Sequence, residues 1–533
     1  MTFPRVLPVG DAAVTVELGD TPDPATSARV LSLDRALARS PFDGFREAVP
    51  GLRSLLVLYD PSATLFGAVA RHLLARAGRR LAPSPPGRRH EVPTVYGGAE
   101  GPDLPSLARE RGLAESDAVR LHSATEYTAF MLGFTPGFAY LGPLPEALAC
   151  SRRATPRVRV PAGSVALAGL LTGIYPVASP GGWRIVGRTS VPLFDPLREE
   201  PALLAPGDRV RFVPVAELPP PAPARGAEAQ AGALPVVEVL DPGLLTTVQD
   251  GGRGGYRRIG VSRAGPMDVR AHAVANGAVG NPPEVAALEC TVAGPALAFL
   301  APVRFALAGA DLGAVLERAD LGTWPVPPGA SVLARPGNVL RFTGRRSGCR
   351  GYVALRGGIA VPAVLGSRAT DLHSAFGGFE GRSLVAGDRL AVSPAPPEGG
   401  SPGESAPACH ATTATVRVVP GPQADCFDTQ TLGRFLSSAW RVGSTSDRVG
   451  CRLEGEPLRH LGPAEIPSDG MVPGSIQVPP DGRPIVMAAD GPTTGGYPKV
   501  ATVVTADLPV LAQLVPGEGT VRFEAVRVED VQP

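Results

Sequence analysis

The chain has 533 residues, 44% hydrophobic and 19% charged, with a formal net charge of +1. That length holds about three or four domains rather than one, and the even balance of charge leaves no basic face for nucleic acid to grip. Lysine occurs once, at Lys499 between Pro498 and Val500. A Walker-type phosphate loop, which needs Gly-Lys-Ser/Thr, and a biotinyl-lysine of the chain's own are both excluded.

Residues 1–85 read as a small α/β domain, with strands at 14–18 and 52–59 and amphipathic helices at 24–39 and 64–81. The opening residues have no basic stretch ahead of an apolar run, so no signal peptide is expected. Residues 82–89 form a Pro-rich turn. Two short helices follow at 104–112 and 115–123. From there to Phe212 the chain alternates short aliphatic runs with glycine and proline, the pattern of strands joined by turns. The uncharged stretch between Arg159 and Arg184 contains Pro161, Pro176 and Pro180, so it reads as buried strands and not as a membrane span.

Residues 214–235 and 394–411 are Pro-, Ala- and Gly-rich linkers. They divide the chain into modules at 90–213, 236–393 and 412–533. Weak repeats connect these modules: APGDRVRF (205–212), VAGDRLAV (385–392) and VPGEGTVRF (515–523) share one turn and strand. VPAGSVAL (160–167) resembles VPGSIQV (472–478), and TGIYPVA (172–178) resembles TGGYPKVA (494–501). All three modules are expected to be β-barrels, so the fold class is mainly β with α+β parts. The six cysteines (150, 290, 349, 409, 426 and 451) include no C-x-x-C pair and no zinc-ligand spacing. They suit reduced thiols in a cytoplasmic protein, and no metal site is assigned.

Several segments carry chemistry. GFTPGFAYLG (133–142) sets Phe134, Phe138 and Tyr140 between glycines, a rigid aromatic wall for a small polar ligand. His122, eleven residues ahead of it, is a candidate proton carrier. Arg157 offers a fork for a carboxylate or phosphate beside the segment that holds Ser164 and Tyr175. The Gly- and Arg-rich run 248–268 places Arg253 in an anion-friendly loop, and Asp268 is a helix cap for 269–279 as well as a ligand candidate. In the last module Arg448, Asp490, Thr493, Thr494, Tyr497 and Lys499 form a polar pocket edge, with Asp490 and Lys499 as catalytic candidates.

These segments resemble a known family. GFTPGFAYLG, ATPRVRVPAGSVALAG, TGIYPVASPGGW and LAPGDRVRF are similar to the B subunit of bacterial ATP-dependent 5-oxoprolinase. LDPGLLTTVQDGGRGGYRRIGV, LGSRATDLHSAFGGFEGR, SDRVGCRLEG and TTGGYPKVATVVTADLP are similar to its C subunit. The match runs over nearly the whole chain, which is identified as a B–C fusion joined at 214–235. The resemblance implies cyclophilin-like β-barrels behind a small α/β domain. It also implies ATP with Mg2+ as the energy source, 5-oxoproline as substrate and a separate A subunit as partner, with no membrane; self-association is compatible with it. The B–C pair is expected to phosphorylate the lactam, and the A subunit to complete ring opening. Two alternatives accompany it. One is a carboxyltransferase acting on urea or a related amide with a biotin carrier on another chain. The other is a non-catalytic regulator of a sporulation-type histidine kinase. One departure is Pro492, where the family pattern has Gln before Thr-Thr-Gly-Gly.

Overall fold

The computed structural model describes residues 3–79, 81–82, 87–220, 234–319, 321–394 and 410–531. Most of both linkers, and Cys409, lie outside the described residues.

The N-terminal domain is an antiparallel sheet in the order Arg5–Pro8, Ala13–Glu17, Ser54–Tyr59, Phe45–Pro50. Helices Pro24–Arg39 and Phe66–Ala77 cover one face. Asp23 caps the first, accepting from Ala25 and Thr26 N–H at 2.9 and 3.0 Å, with Pro24 at the first helical position. Val30, Leu33, Leu37, Val69 and Leu73 pack on Val14, Val16, Leu55 and Val57. The other face holds Val9, Ala13, Val49 and Leu56, which meet Val472 of the last module. Burial on both faces explains why Ala13–Glu17 is buried at every position.

Two seven-stranded closed barrels follow the same circuit. In the first, neighbours round the wall are Leu171–Ile174, Ala139–Gly142, Glu126–Leu132, Arg209–Pro214, Arg89–Tyr96, Arg184–Arg188 and Ser164–Ala168. In the last they are Ile485–Met487, Gly450–Glu454, Trp440–Val442, Thr520–Ala525, Thr413–Pro420, Lys499–Val503 and Ser475–Gln477. Each circuit contains one parallel pair, between its first and last strands in sequence. The register matches too. Ile185 faces Ala166 and Gly187 faces Val165, skipping Val186; Lys499 faces Gln477 and Ala501 faces Ile476, skipping Val500. The same bulge in the same place is the structural record of the repeat VPAGSVAL/VPGSIQV. The other expected pairing is corrected. TGIYPVA begins in Leu171–Ile174, whereas TGGYPKVA runs into Lys499–Val503, on the other side of Ser475–Gln477 from the equivalent strand Ile485–Met487. Its counterpart is SPGGWRI (179–185), and the Gly-Gly-aromatic turn, not the Thr-Gly-x-Tyr-Pro letters, occupies the equivalent position.

The shared Gly-acid turn has a common mechanism. Asp208 accepts the Ala205 N–H at 3.0 Å, and Asp388 accepts the Val385 N–H at 2.8 Å. Gly207 and Gly387 take φ of +98 and +91, which side chains other than glycine's rarely tolerate.

The middle module departs from the expected barrel. It is a six-stranded and a five-stranded sheet enclosing one core. Val237, Leu297, Phe299 and Leu340 come from one sheet, and Leu288, Phe305, Leu307 and Val353 from the other. The exposed strand Gly322–Pro325 pairs on one side only and leaves an edge, so the sheet does not close. Among the described residues no helix is long and apolar enough to cross a membrane.

Candidate functional site

The loop Gly133 to Gly137 links two strands of the first barrel and reaches both other modules. Phe134 has φ +68, a left-handed conformation that costs a side-chain-bearing residue about 1–2 kcal/mol. The surroundings hold it there: Phe134 N–H donates to Thr494 Oγ1 at 3.0 Å, and Gly137 N–H to the Ile259 carbonyl at 2.9 Å. At Gly133 a Cβ would collide with the Thr494 side chain, so glycine lets the two barrels touch. Backbone strain of this kind concentrates at functional sites.

Behind the loop, Phe134, Phe138, Tyr140 and Tyr175 pack edge to face, joined by Trp183, with ring centres 5.0–6.3 Å apart. Burial raises the Tyr140 phenol, and hydrogen bonds with Ser468 and Thr494 of the last barrel oppose that rise. Burial pushes Tyr175 up to about 12. A cleft of about 680 Å³ opens between this aromatic wall and the last barrel. Tyr140, Trp183, Arg152, Arg153, Glu465 and Ser468 line it. It has the size and the mixed apolar and polar lining of a small-molecule site, at a junction of modules.

Two buried charge clusters flank the junction. Lys499 is fully buried, and its Nζ donates to Asp469 Oδ2 at 3.0 Å. Asp469 also accepts from Ser54 Oγ of the N-terminal domain and from Gly470 N–H at 2.8 Å. Burial pushes the Asp469 carboxyl up, but Lys499 and Ser54 hold it below its ordinary value. In the second cluster, Arg448 forks Asp490 at 2.8 Å through two nitrogens and hydrogen-bonds Glu289 of the middle module. Glu289 also accepts from Tyr352 Oη at 2.7 Å and Met267 N–H at 2.8 Å. Burial pushes Asp490 up to about 6 against the pull of Arg448. Burial opposes the ionised form of Glu289 as well, yet Arg448 and Arg350 keep that carboxyl low.

The sequence candidates therefore divide. Phe134, Phe138, Tyr140, Tyr175 and Thr494 meet at the junction. Thr493 is buried beside Thr494, with an Oγ1 that has no hydrogen-bond partner, and Tyr497 is half-buried with its carbonyl accepting from Gln477. Lys499, Arg448 and Asp490 are tied up in ion pairs. Asp268 caps its helix through Ala271 N–H at 2.9 Å and accepts from Gln513 at 2.7 Å. Arg253 is buried over the Phe376 ring at 4.8 Å, with Nη1 unpartnered. Its loop turns inward: the N–H groups of Gly251, Gly252 and Arg253 bond within the module and do not face an anion. Arg157 forks Asp103 at 2.8 and 2.9 Å, and Ser164 is buried in the barrel wall. His122 sits inside the first barrel, between Tyr96 Oη at 2.7 Å and Thr172 Oγ1 at 2.9 Å. Burial takes it down to about 3, so it is neutral there.

Comparison with known proteins bears on the whole chain. Residues 4–204 match the family model for the carboxyltransferase domain, subdomains C and D, and residues 259–525 the one for subdomains A and B. A protein of Escherichia coli named as the B subunit of 5-oxoprolinase is 47% identical over 210 residues, covering 39% of this chain and 95% of that protein. Another, named as the C subunit of 5-oxoprolinase, is 39% identical over 287 residues, covering 53% of this chain and 89% of its own length. The chain belongs to the carboxyltransferase-domain family, as a B–C fusion. The solved structure of TTHA0988 is 37% identical, with a TM-score of 0.84 over 96% of this chain and 99% of that one.

In the fusion, segments that match two separate E. coli proteins close on one cleft. Arg152, Trp183, Glu465 and Ser468 were not singled out by the sequence. Trp183 had a signal, because it occupies the aromatic place in SPGGW that Tyr497 holds in TTGGY. Arg152 had none, being one arginine among fifty in this chain.

Proposed function

We infer that the B–C fusion is the component of an ATP-dependent 5-oxoprolinase that activates 5-oxoproline for ring opening to glutamate, while a separate A subunit finishes the reaction. The observation that carries this reading is the end-to-end, in-order similarity to relatives named as the B and C subunits of 5-oxoprolinase. The cleft supports it, with an aromatic wall for the ring, a guanidinium for the carboxylate and hydroxyls for the amide edge.

An unstrained lactam resists water at neutral pH. Transfer of the terminal phosphoryl of ATP to the lactam carbonyl oxygen breaks its bond to ADP and forms a new P–O bond. The ring carbon then accepts water, the C–N bond opens, and glutamate and phosphate leave. Such transfer depends on positioning and charge stabilisation. Among the described residues no group of three His, Cys, Asp or Glu side chains could hold a metal ion. The residues thus do not build a cage for Mg2+, an ion that protein sites often take together with nucleotide phosphates and water. Purified fusion mixed with its A subunit, ATP and 5-oxoproline is expected to release glutamate and ADP together; absence of coupled turnover would sink the reading. The carboxyltransferase alternative predicts carboxylation of an amide that depends on a biotin carrier.

A further inference from the structure

Two arginines line the cleft, and they are held differently. Arg153 donates through Nη1 to Asp103 at 2.9 Å, with its buried Nε unpartnered, and Arg157 forks the same carboxylate. Arg152 differs. Among the described residues its ion pair is with Glu465 alone, at 3.6 Å, beyond hydrogen-bond range. The pair bridges the first and last barrels across the cleft, and Glu465 is half exposed at 51%. The Arg152 guanidinium lies beside Gly496 of the TTGGY segment, and its charge reaches the phenols of both Tyr140 and Tyr175. Trp183 and Ser468 complete the surroundings. A planar, permanently charged fork set against aromatic rings and a hydroxyl matches a carboxylate.

We propose that Arg152 is the carboxylate receptor of this cleft, and that Glu465 is a stand-in displaced when a small cyclic acid enters. The ligand's carboxylate takes both guanidinium N–H groups of one edge, its ring methylenes lie against Trp183, and Glu465 returns to water. The exchange is feasible because a half-exposed ion pair contributes little. The inference rests on the 5-oxoprolinase reading for its ligand class and sharpens it, since urea and simple amides carry no carboxylate for Arg152 to fork.

The test compares 5-oxoproline with 2-pyrrolidinone, the same lactam without the carboxylate, by calorimetric titration of the full chain. The acid is expected to bind about tenfold or more tightly, the scale of a charged hydrogen-bonded contact. Arg152→Gln should erase that preference and Arg152→Lys retain part of it. Glu465→Gln should tighten acid binding about two- to fivefold, as expected for releasing an exposed pair. Equal affinity for the two lactams, undetectable acid binding, or a preference intact in a folded Arg152→Gln variant overturns the proposal. Should Arg152→Gln not fold, the exposed Glu465→Gln variant decides, and unchanged acid affinity there counts against it. Arg152-dependent acid binding without glutamate production would remove the 5-oxoprolinase reading and leave the receptor standing.

Discussion

The two barrels share strand circuit, register and bulge, yet they treat buried polar groups in opposite ways. The first keeps a neutral base, His122, and supplies both partners, Tyr96 and Thr172, from its own strands. The last pairs its buried charges internally, Lys499 with Asp469 and Arg448 with Asp490, and then shares each pair with a neighbour: Ser54 of the N-terminal domain joins the first and Glu289 of the middle module the second. At one equivalent position in the register the first barrel has Ile185 and the last has Lys499. One copy of the circuit is a self-contained core. The other is completed by its neighbours, and the junction that holds the cleft lies where that completion occurs.

The contrast is most exposed at Lys499. Lys499→Ala leaves Asp469 buried without its cation and should cost about 3–5 kcal/mol, seen as a lower urea midpoint. Lys499→Met combined with Asp469→Leu should recover most of it, because an apolar pair of similar volume needs no counter-charge. An unchanged midpoint in the single variant would dissolve the distinction between the barrels. Gly133→Ala tests their contact. Its methyl group meets Thr494, and overpacking of about 1–3 kcal/mol is expected, together with loss of acid binding in the cleft.

Acidity separates the barrels by sign. Asp490 is raised by burial from 3.8 to about 6, so its contribution to stability is full below 3.8 and is lost as pH rises through about 6. His122 is lowered by burial from 6.5 to about 3, so its contribution is full above 6.5 and is lost as pH falls through about 3. Chemical unfolding across this range should show Asp490→Asn removing the first dependence and His122→Gln the second. A His122→Gln curve that parallels the parent would mean that the histidine takes up its proton alike in the folded and unfolded chain, against the burial described here.

Much of the architecture was legible because it is local. The helix Pro24–Arg39 has its cap and spacing in its own letters, and the two Gly-Asp turns fix their strands through an acid that accepts from an N–H three residues back. The strand Phe45–Pro50 was missed because Phe-Arg-Glu-Ala has no alternation; its burial comes from the sheet beside it. The closure of the middle module was misjudged for a related reason, since an unpaired edge is a property of the whole sheet. At the site, the aromatic motif could be read directly, and the ion pairs could not. Arg448 and Glu289 are 159 residues apart, and no spacing rule connects them. Lys499 read as part of a polar pocket edge with a catalytic candidacy, whereas in the structure it is fully buried and paired with Asp469.

The docking of the N-terminal sheet on the last barrel has a consequence for biosynthesis. Val9, Ala13, Val49 and Leu56 form an oily face that packs against Val472, a residue made late. Ser54 and its partner Asp469 are 415 positions apart, so at ordinary translation speeds the face waits about 20 to 80 s for its cover. During that interval the nascent chain presents a sticky sheet to the ribosome's surroundings. A holding chaperone is then expected to matter for yield, and slowing the ribosome late in the message should raise the aggregated fraction.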